Sequence, residues 1–285
     1  MSVGPIYNHT SDNVAAAGTP SLEVGTAQAG YGASYLVDWT DENLERPSLL
    51  NEVTGSWKLH YPAAQRIDCV MIWHNFDAAL ACSWLGGNTY ASPTLTKALT
   101  VPAKRGDGST VKIFADLRSV SGYTATGFAD QWLKVSGANS VPIGAKVWCG
   151  QMVRQLARGV GWGPRLTHRR PGIVLSTEFV SAAWTYDFGI TPRIFRGRME
   201  GASDSDRDAV IALLESSGLG LVVIVPDPVH KPNEAWLVRL LNGGSVGETG
   251  LTARTLDHAA TAAVLNANQL ALDVEEITAG NPEWV

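Results

Sequence analysis

The sequence has little of what marks disulfide-built scaffolds, membrane proteins and motif-bearing enzymes. It has only three cysteines, Cys69, Cys82 and Cys149, an odd number with no CxxC pair. That excludes a disulfide framework and a thiolate zinc site of ordinary spacing. Cys69 and Cys149 sit in apolar, strand-like runs, so both are read as reduced, buried thiols of a protein assembled in a cytoplasm. No apolar run approaches the roughly 18 residues of a membrane-spanning helix. Residues 1–10 lack a basic region followed by an apolar core, so no signal peptide is expected, and the sequon Asn8-His9-Thr10 then carries no meaning. The net charge of −5 argues against general nucleic-acid binding, leaving room only for a local basic patch. There is no HExxH, no GxSxG and no phosphate-binding GxxxxGK, and the six histidines lack helical metal spacing. The expectation is a chain with no catalytic site, no metal and no cofactor.

What is present is core-forming material. Of 285 residues, 45% are hydrophobic and 17% charged, and the ten tryptophans must be buried in a core or at an interface. Residues 1–50 are rich in Gly, Ala, Ser, Thr and Asn and read as an extended N-terminal arm with short strands, such as 34–37. The arm carries Asp12, Glu23, Asp38, Asp41, Glu42 and Glu45 against Arg46 alone. Its Tyr31, Tyr35, Leu36 and Trp39 need burial, either on its own domain or on a neighbouring subunit. Residues 51–152 read as all-β, with strands at 56–61, 66–76, 111–117, 131–135 and 146–152 between Gly- and Asn-rich links. Such spacing predicts a β-sandwich or jelly roll. Residues 153–172 form a basic loop or linker, and 173–285 an α+β domain. That domain has strands at 173–179, 184–188, 193–199, 219–225, 235–241 and 269–277. Its one helix, at 203–217, is capped by Ser203 or Ser205 and stopped at Gly218.

Several patterns suggest chemistry and have plainer readings. Gly159-Val-Gly161-Trp-Gly163-Pro164 lacks the helix start that a phosphate loop needs, and reads as a loop. Asp204, Asp206, Asp208 and Glu215 have calcium-loop spacing, but Ala209 stands where the turn glycine belongs, so they read as an acidic helix start. Glu275 and Glu276 are adjacent on a strand and point to opposite faces, which is wrong for an acid–base pair. The basic segment, with Arg154, Arg158, Arg165, Arg169 and Arg170, is a solvated loop, an inter-subunit contact that receives the acidic arm of a neighbour, or a contact with DNA or an unrelated partner. Trp84, Asn88 and Tyr90, in a Gly-rich turn region, form a candidate glycan contact, with a core or interface tryptophan as the alternative.

Arg66-Ile-Asp-Cys-Val-Met-Ile-Trp-His-Asn-Phe76 resembles the strand and Asn-containing turn of discoidin-like, galactose-binding-type jelly rolls in bacteriophage tail proteins. The stretches 56–61, 132–135 and 141–150 resemble neighbouring strands of the same domain. Trp184-Thr-Tyr-Asp-Phe188, Arg196-Gly-Arg-Met199, the 203–217 segment, 219–225 and Asp227-Pro228 follow in the order seen in such tail proteins, and 270–277 is similar to a closing strand of tail-assembly modules. The resemblance covers roughly residues 50–280. It implies a structural protein of a siphophage-like virion, in the tail or tail tip. Such a protein would be made in the bacterial cytoplasm and assembled with itself and other tail proteins into a symmetric oligomer. The alternatives it leaves are a carbohydrate-binding module for host attachment and a head decoration or connector protein.

Overall fold

A computed structural model of the chain describes residues 6–8, 14–40, 43, 46–52, 54–76, 80–101, 111–137, 142–155, 165–168, 172–177, 180–187, 193–202, 221–225, 229–230, 235–240 and 268–276. In chain order the strands begin with β1 (Ile6–Asn8), β2 (Thr19–Val24), β3 (Ser48–Leu49), β4 (Gly55–Gln65), β5 (Cys69–His74) and β6 (Ala81–Gly87). They continue with β7 (Leu95–Leu99), β8 (Val111–Asp116), β9 (Phe128–Ser136), β10 (Gly144–Gly150), β11 (Met152–Gln155) and β12 (Arg165–His168). The last are β13 (Gly172–Thr177), β14 (Val180–Asp187), β15 (Arg193–Ala202), β16 (Leu221–Val225), β17 (Trp236–Leu240) and β18 (Asn268–Glu276).

Two antiparallel sheets form a sandwich, one ordered β2-β4-β9-β6-β7 and the other β3-β10-β5-β8. The chain changes sheet between β4 and β5, β5 and β6, β7 and β8, β8 and β9, and β9 and β10, as in a jelly roll. Period-two alternation supplies the core. Trp57, Leu59 and Tyr61 of β4 and Trp84 of β6 meet Val70 and Ile72 of β5, Ile113 and Ala115 of β8, and Val147 and Cys149 of β10. All three cysteines are free and buried.

Every residue of β5 is buried, which explains its unbroken apolar run. Its second face, carrying Cys69, Met71 and Trp73, packs with Phe114, Trp148, Trp39 and Met152 against Val223, Val225, Ala235 and Leu237. Those last four residues come from or adjoin β16 and β17, in a seven-stranded sheet ordered β11-β1-β16-β17-β18-β15-β12. The four-stranded sheet is therefore the middle layer of three, and Trp39 stacks edge-on against both Trp73 and Trp148 within the second apolar layer.

The N-terminal segment is woven into this framework. β1 pairs with β11 and β16, and β2 pairs with β4. Val14, Ala15, Leu36 and Val37 join the sandwich core. Leu36 and Trp39 are thus buried on their own chain, and Arg46 lies over the Tyr31 and Tyr35 rings. Residues 34–37, expected as a strand, fall on a 3-10 turn, Ala33–Leu36, and the residue after it; the turn packs against β2, β3 and β10 without joining a sheet. The basic segment is likewise part strand: Arg154 pairs with Tyr7, and Arg165 with Arg196. A linker reading of 153–172 fails at these strands, where backbone pairing with β1 and β15 outweighs the high Gly and Arg content. The strands β6 and β7 fall where glycines had suggested links, and Gly86 and Gly87 lie inside β6. Beyond the sandwich, the described residues are strands apart from a turn at 229–230 and Ala235 before β17, and the expected helix at 203–217 lies outside the described residues.

Candidate functional site

With the four-stranded sheet covered on both faces, the outer face of the five-stranded sheet is where the sandwich offers polar and aromatic side chains to solvent. Alternation along β4 and β9 turns Lys58, His60, Asp130, Trp132 and Lys134 outward, while Trp57, Leu59, Leu133 and Val135 point to the core. The pairing sets Lys58 beside Trp132, His60 beside Asp130, and Ser83 of β6 beside Lys134. Tyr90, from the β6–β7 connection, lies edge-on against Trp132 at 5.9 Å between ring centroids. Gly87 (φ 159°) allows this, because a Cβ there would stand 2.8 Å from the Thr94 backbone nitrogen. The connection closes down onto the sheet instead of standing away from it.

The charges on this face are arranged in pairs. Lys58 Nζ is 3.2 Å from Asp130 Oδ1, and His60 Nδ1 donates to the same oxygen at 2.7 Å. The Trp132 indole donates to Glu23 at 3.2 Å. The Lys58 amine lies 5.7 Å from the Trp132 ring, and the Lys134 amine 5.7 Å from the Tyr90 ring. Tyr90 is half-buried, Lys134 exposed, and Trp132 only 1% exposed. Trp132 is thus the floor of the patch and Tyr90 its accessible ring.

Two other polar clusters hold the fold together. Asp68, fully buried at the start of β5, accepts two hydrogen bonds from Arg66 at 2.8 and 2.7 Å, one from the Tyr123 hydroxyl at 2.5 Å and one from the Met152 amide at 3.2 Å. Its hydrogen bonds to the Asp68 carboxylate raise the Arg66 guanidinium further above its ordinary range. At the opposite end of β10's partner strands, Lys146 points its amine into the backbone carbonyls of Asn43 (2.6 Å), Arg46 (3.1 Å) and Tyr35 (3.5 Å), 5.1 Å from the Trp39 ring. Burial pulls this lysine down to about 8, and the charge of Asp38 pushes it back up. Both clusters are saturated by protein groups, so they serve packing. Among the described residues no group of three or more His, Cys, Asp or Glu side chains is placed to hold a metal ion.

The three residues expected as a glycan contact separate. Trp84 is fully buried, and its indole donates to Gln131 at 3.0 Å between the two sheets. It is a core tryptophan, because β6 runs beside β9 in the sheet interior and turns this position inward. Asn88 is exposed, and Tyr90 lies on the other side of the sheet from Trp84, against Trp132. Of the basic residues expected at a subunit contact, Arg154 and Arg165 are on β11 and β12, whereas Arg158, Arg169 and Arg170 lie outside the described residues. The same holds for Gly159–Gly163 and for the acidic spacing at 204–215. His74 is buried, and its Nδ1 accepts from the Phe76 amide at 3.0 Å, a structural role. Sequence reading missed Lys58, His60, Asp130, Trp132 and Lys134. The alternation Asp130-x-Trp132-x-Lys134 was the available signal, since it puts a tryptophan on the polar face of a strand.

No protein-family model matches the chain, and no curated protein matches it. Among solved structures, the lectin domain of lectinolysin, determined in complex with Lewis B antigen, aligns with 50% of this chain and 99% of its own length, at 13% identity and a TM-score of 0.37. No helix among the described residues is long and apolar enough to cross a membrane.

Proposed function

We infer that the chain is a non-enzymatic structural component of a bacteriophage particle, placed in the tail or tail tip by contacts with copies of itself and with other tail proteins. The order of motifs from Arg66 to the end of β18 supports this reading. The observation that carries it is the ribbon β13–β14. These two strands pair only with each other among the described strands, and their register sets Ile173 opposite Tyr186 and Leu175 opposite Trp184. A two-stranded ribbon is marginal alone in water, and an assembly that adds a neighbour against it gives it a role. The test is sedimentation across concentration, followed by imaging of any large species. A closed oligomer of fixed mass, weakened by Trp184→Ser or by Arg165, Arg169 and Arg170 changed to Glu, is the expected result. A monomer at every concentration that also fails to incorporate into tails assembled in its presence would defeat the reading.

A second reading, attachment to host glycans, is favoured by the open five-stranded face. An accessible tyrosine fixed on a buried tryptophan, ringed by Lys58, Asp130, His60 and Lys134, has the aromatic and polar make-up that sugar-binding surfaces need. Screening the full chain on a glycan array tests it. Retention that Tyr90→Ala abolishes supports the reading, and absence of retention on every glycan removes it.

A further inference from the structure

We propose that the open face of the five-stranded sheet binds an acidic saccharide, with a sugar ring against Tyr90 and its carboxylate or sulfate held by Lys134. This rests on the glycan-attachment reading and gives it a ligand class.

Charge assigns the class. Neutral sugars are commonly held by carboxylates that accept from pairs of hydroxyls, and the two carboxylates here are already engaged. Asp130 accepts from Lys58 and His60, and Glu23 accepts from the Trp132 indole. Lys58 is neutralised by Asp130. Lys134 is different: it is exposed, and among the described residues no carboxylate lies within ion-pair distance of its amine. The group on this face with charge left to offer is therefore a cation, positioned 5.7 Å from the ring that a sugar would lie against. An anion there completes a pair that the protein leaves open.

Rigidity favours the same site. Tyr90 is held on Trp132, and Trp132 is fixed by Glu23 on one side and Lys58 above. The accessible ring loses little freedom on binding. Ser83 stands opposite Lys134 in the β6–β9 register, and Asn88 is exposed two residues before Tyr90. Both are neutral groups suited to sugar hydroxyls.

The experiment is titration of the full chain with sialyllactose, an oligogalacturonate and a sulfated oligosaccharide, against lactose and maltotriose as neutral probes. The variants are Lys134→Gln, Tyr90→Ala and, as a control with the same change of charge, Lys97→Gln on β7. The expected result is binding of at least one acidic probe that weakens about tenfold or more with Lys134→Gln, the loss of one charge-assisted hydrogen bond. Binding should also weaken with Tyr90→Ala and with rising salt, and persist with Lys97→Gln. Binding of a neutral probe that needs Tyr90 and ignores Lys134 overturns the acidic assignment while leaving the glycan reading standing. Equal losses with Lys134→Gln and Lys97→Gln overturn the site. Binding of no probe at all overturns the acidic assignment, and the glycan reading falls with it only where the glycan array also shows no retention.

Discussion

The Lys146 amine lies 2.6 Å from the Asn43 carbonyl, joining the middle of β10 to a segment about a hundred positions earlier in the chain. With the Arg46 and Tyr35 carbonyls and the Trp39 ring completing its surroundings, this one side chain ties Tyr35, Asn43 and Arg46 to the four-stranded sheet. Replacing Lys146 with Met keeps the stem and leaves three carbonyls without their donor. A loss of about 2–4 kcal/mol is expected in urea unfolding, with faster proteolysis within 33–46.

The same lysine gives a pH dependence with a defined sign. Its folded value, about 8, lies below its ordinary 10.5 because burial disfavours the charged form. Below 8 both folded and unfolded chains carry the proton and this group contributes no slope. Between 8 and 10.5 the unfolded chain holds more protons, so folding stability gains up to about 1.4 kcal/mol per pH unit from this group. That gain is lost again as pH falls through 8. Unfolding curves at pH 7.5, 8.5 and 9.5 should show the rise in the native sequence and its absence in Lys146→Met.

Asp68→Asn tests the other buried cluster. The amide keeps the size of the carboxylate, but cannot pair ionically with Arg66 and brings donors toward Arg66 and the Met152 amide. A loss of about 2–3 kcal/mol is expected for leaving the buried Asp68 position without its charge-assisted bonds to a part-exposed Arg66, against about 1 kcal/mol for Tyr123→Phe, which removes a single hydrogen bond. Equal effects of the two variants, measured by thermal and urea unfolding, would contradict the central place of Asp68.

Trp73→Ala probes the layer between the sandwich and the seven-stranded sheet. Trp73 is fully buried there with Trp39 and Trp148. Truncation should cost about 3–5 kcal/mol. Hydrogen exchange should rise in β16 and β17, which face it, more than in β4 and β9, which do not.

Tyr90→Ala should leave stability within about 1 kcal/mol, since Tyr90 is half-buried at the surface. It uncovers Trp132, so the tryptophan emission should shift to the red. A large loss of stability would make Tyr90 a packing residue and remove it from the candidate site.

Gly127 illustrates a local requirement that only the assembled sheet makes severe. It sits at φ 75°, and a Cβ there would run into the backbone of Gln65 and Arg66. Its place in a turn was legible from composition, but the strand end pressed against it was not.

Much of the sandwich was determined by the sequence. Alternation in 56–61 gave a strand with a core face, and 131–135 and the continuous run through Cys69 to His74 were legible as strands, the last of which the fold buries on both sides. Period-two patterning is a local property, so it survives without knowledge of partners. The tertiary structure decided what local patterning does not encode. Trp84 and Trp132 are both strand tryptophans with similar neighbours, yet one faces the core and the other the open sheet, because the register of β6 against β9 sets which side each turns to. The described residues of 1–50, a stretch low in hydrophobic periodicity, include β2, paired with β4, and Asn43, whose carbonyl takes the Lys146 amine from far along the chain. The open face itself exists because a C-terminal sheet covers the other one, a choice made by packing between distant segments that no window of sequence contains.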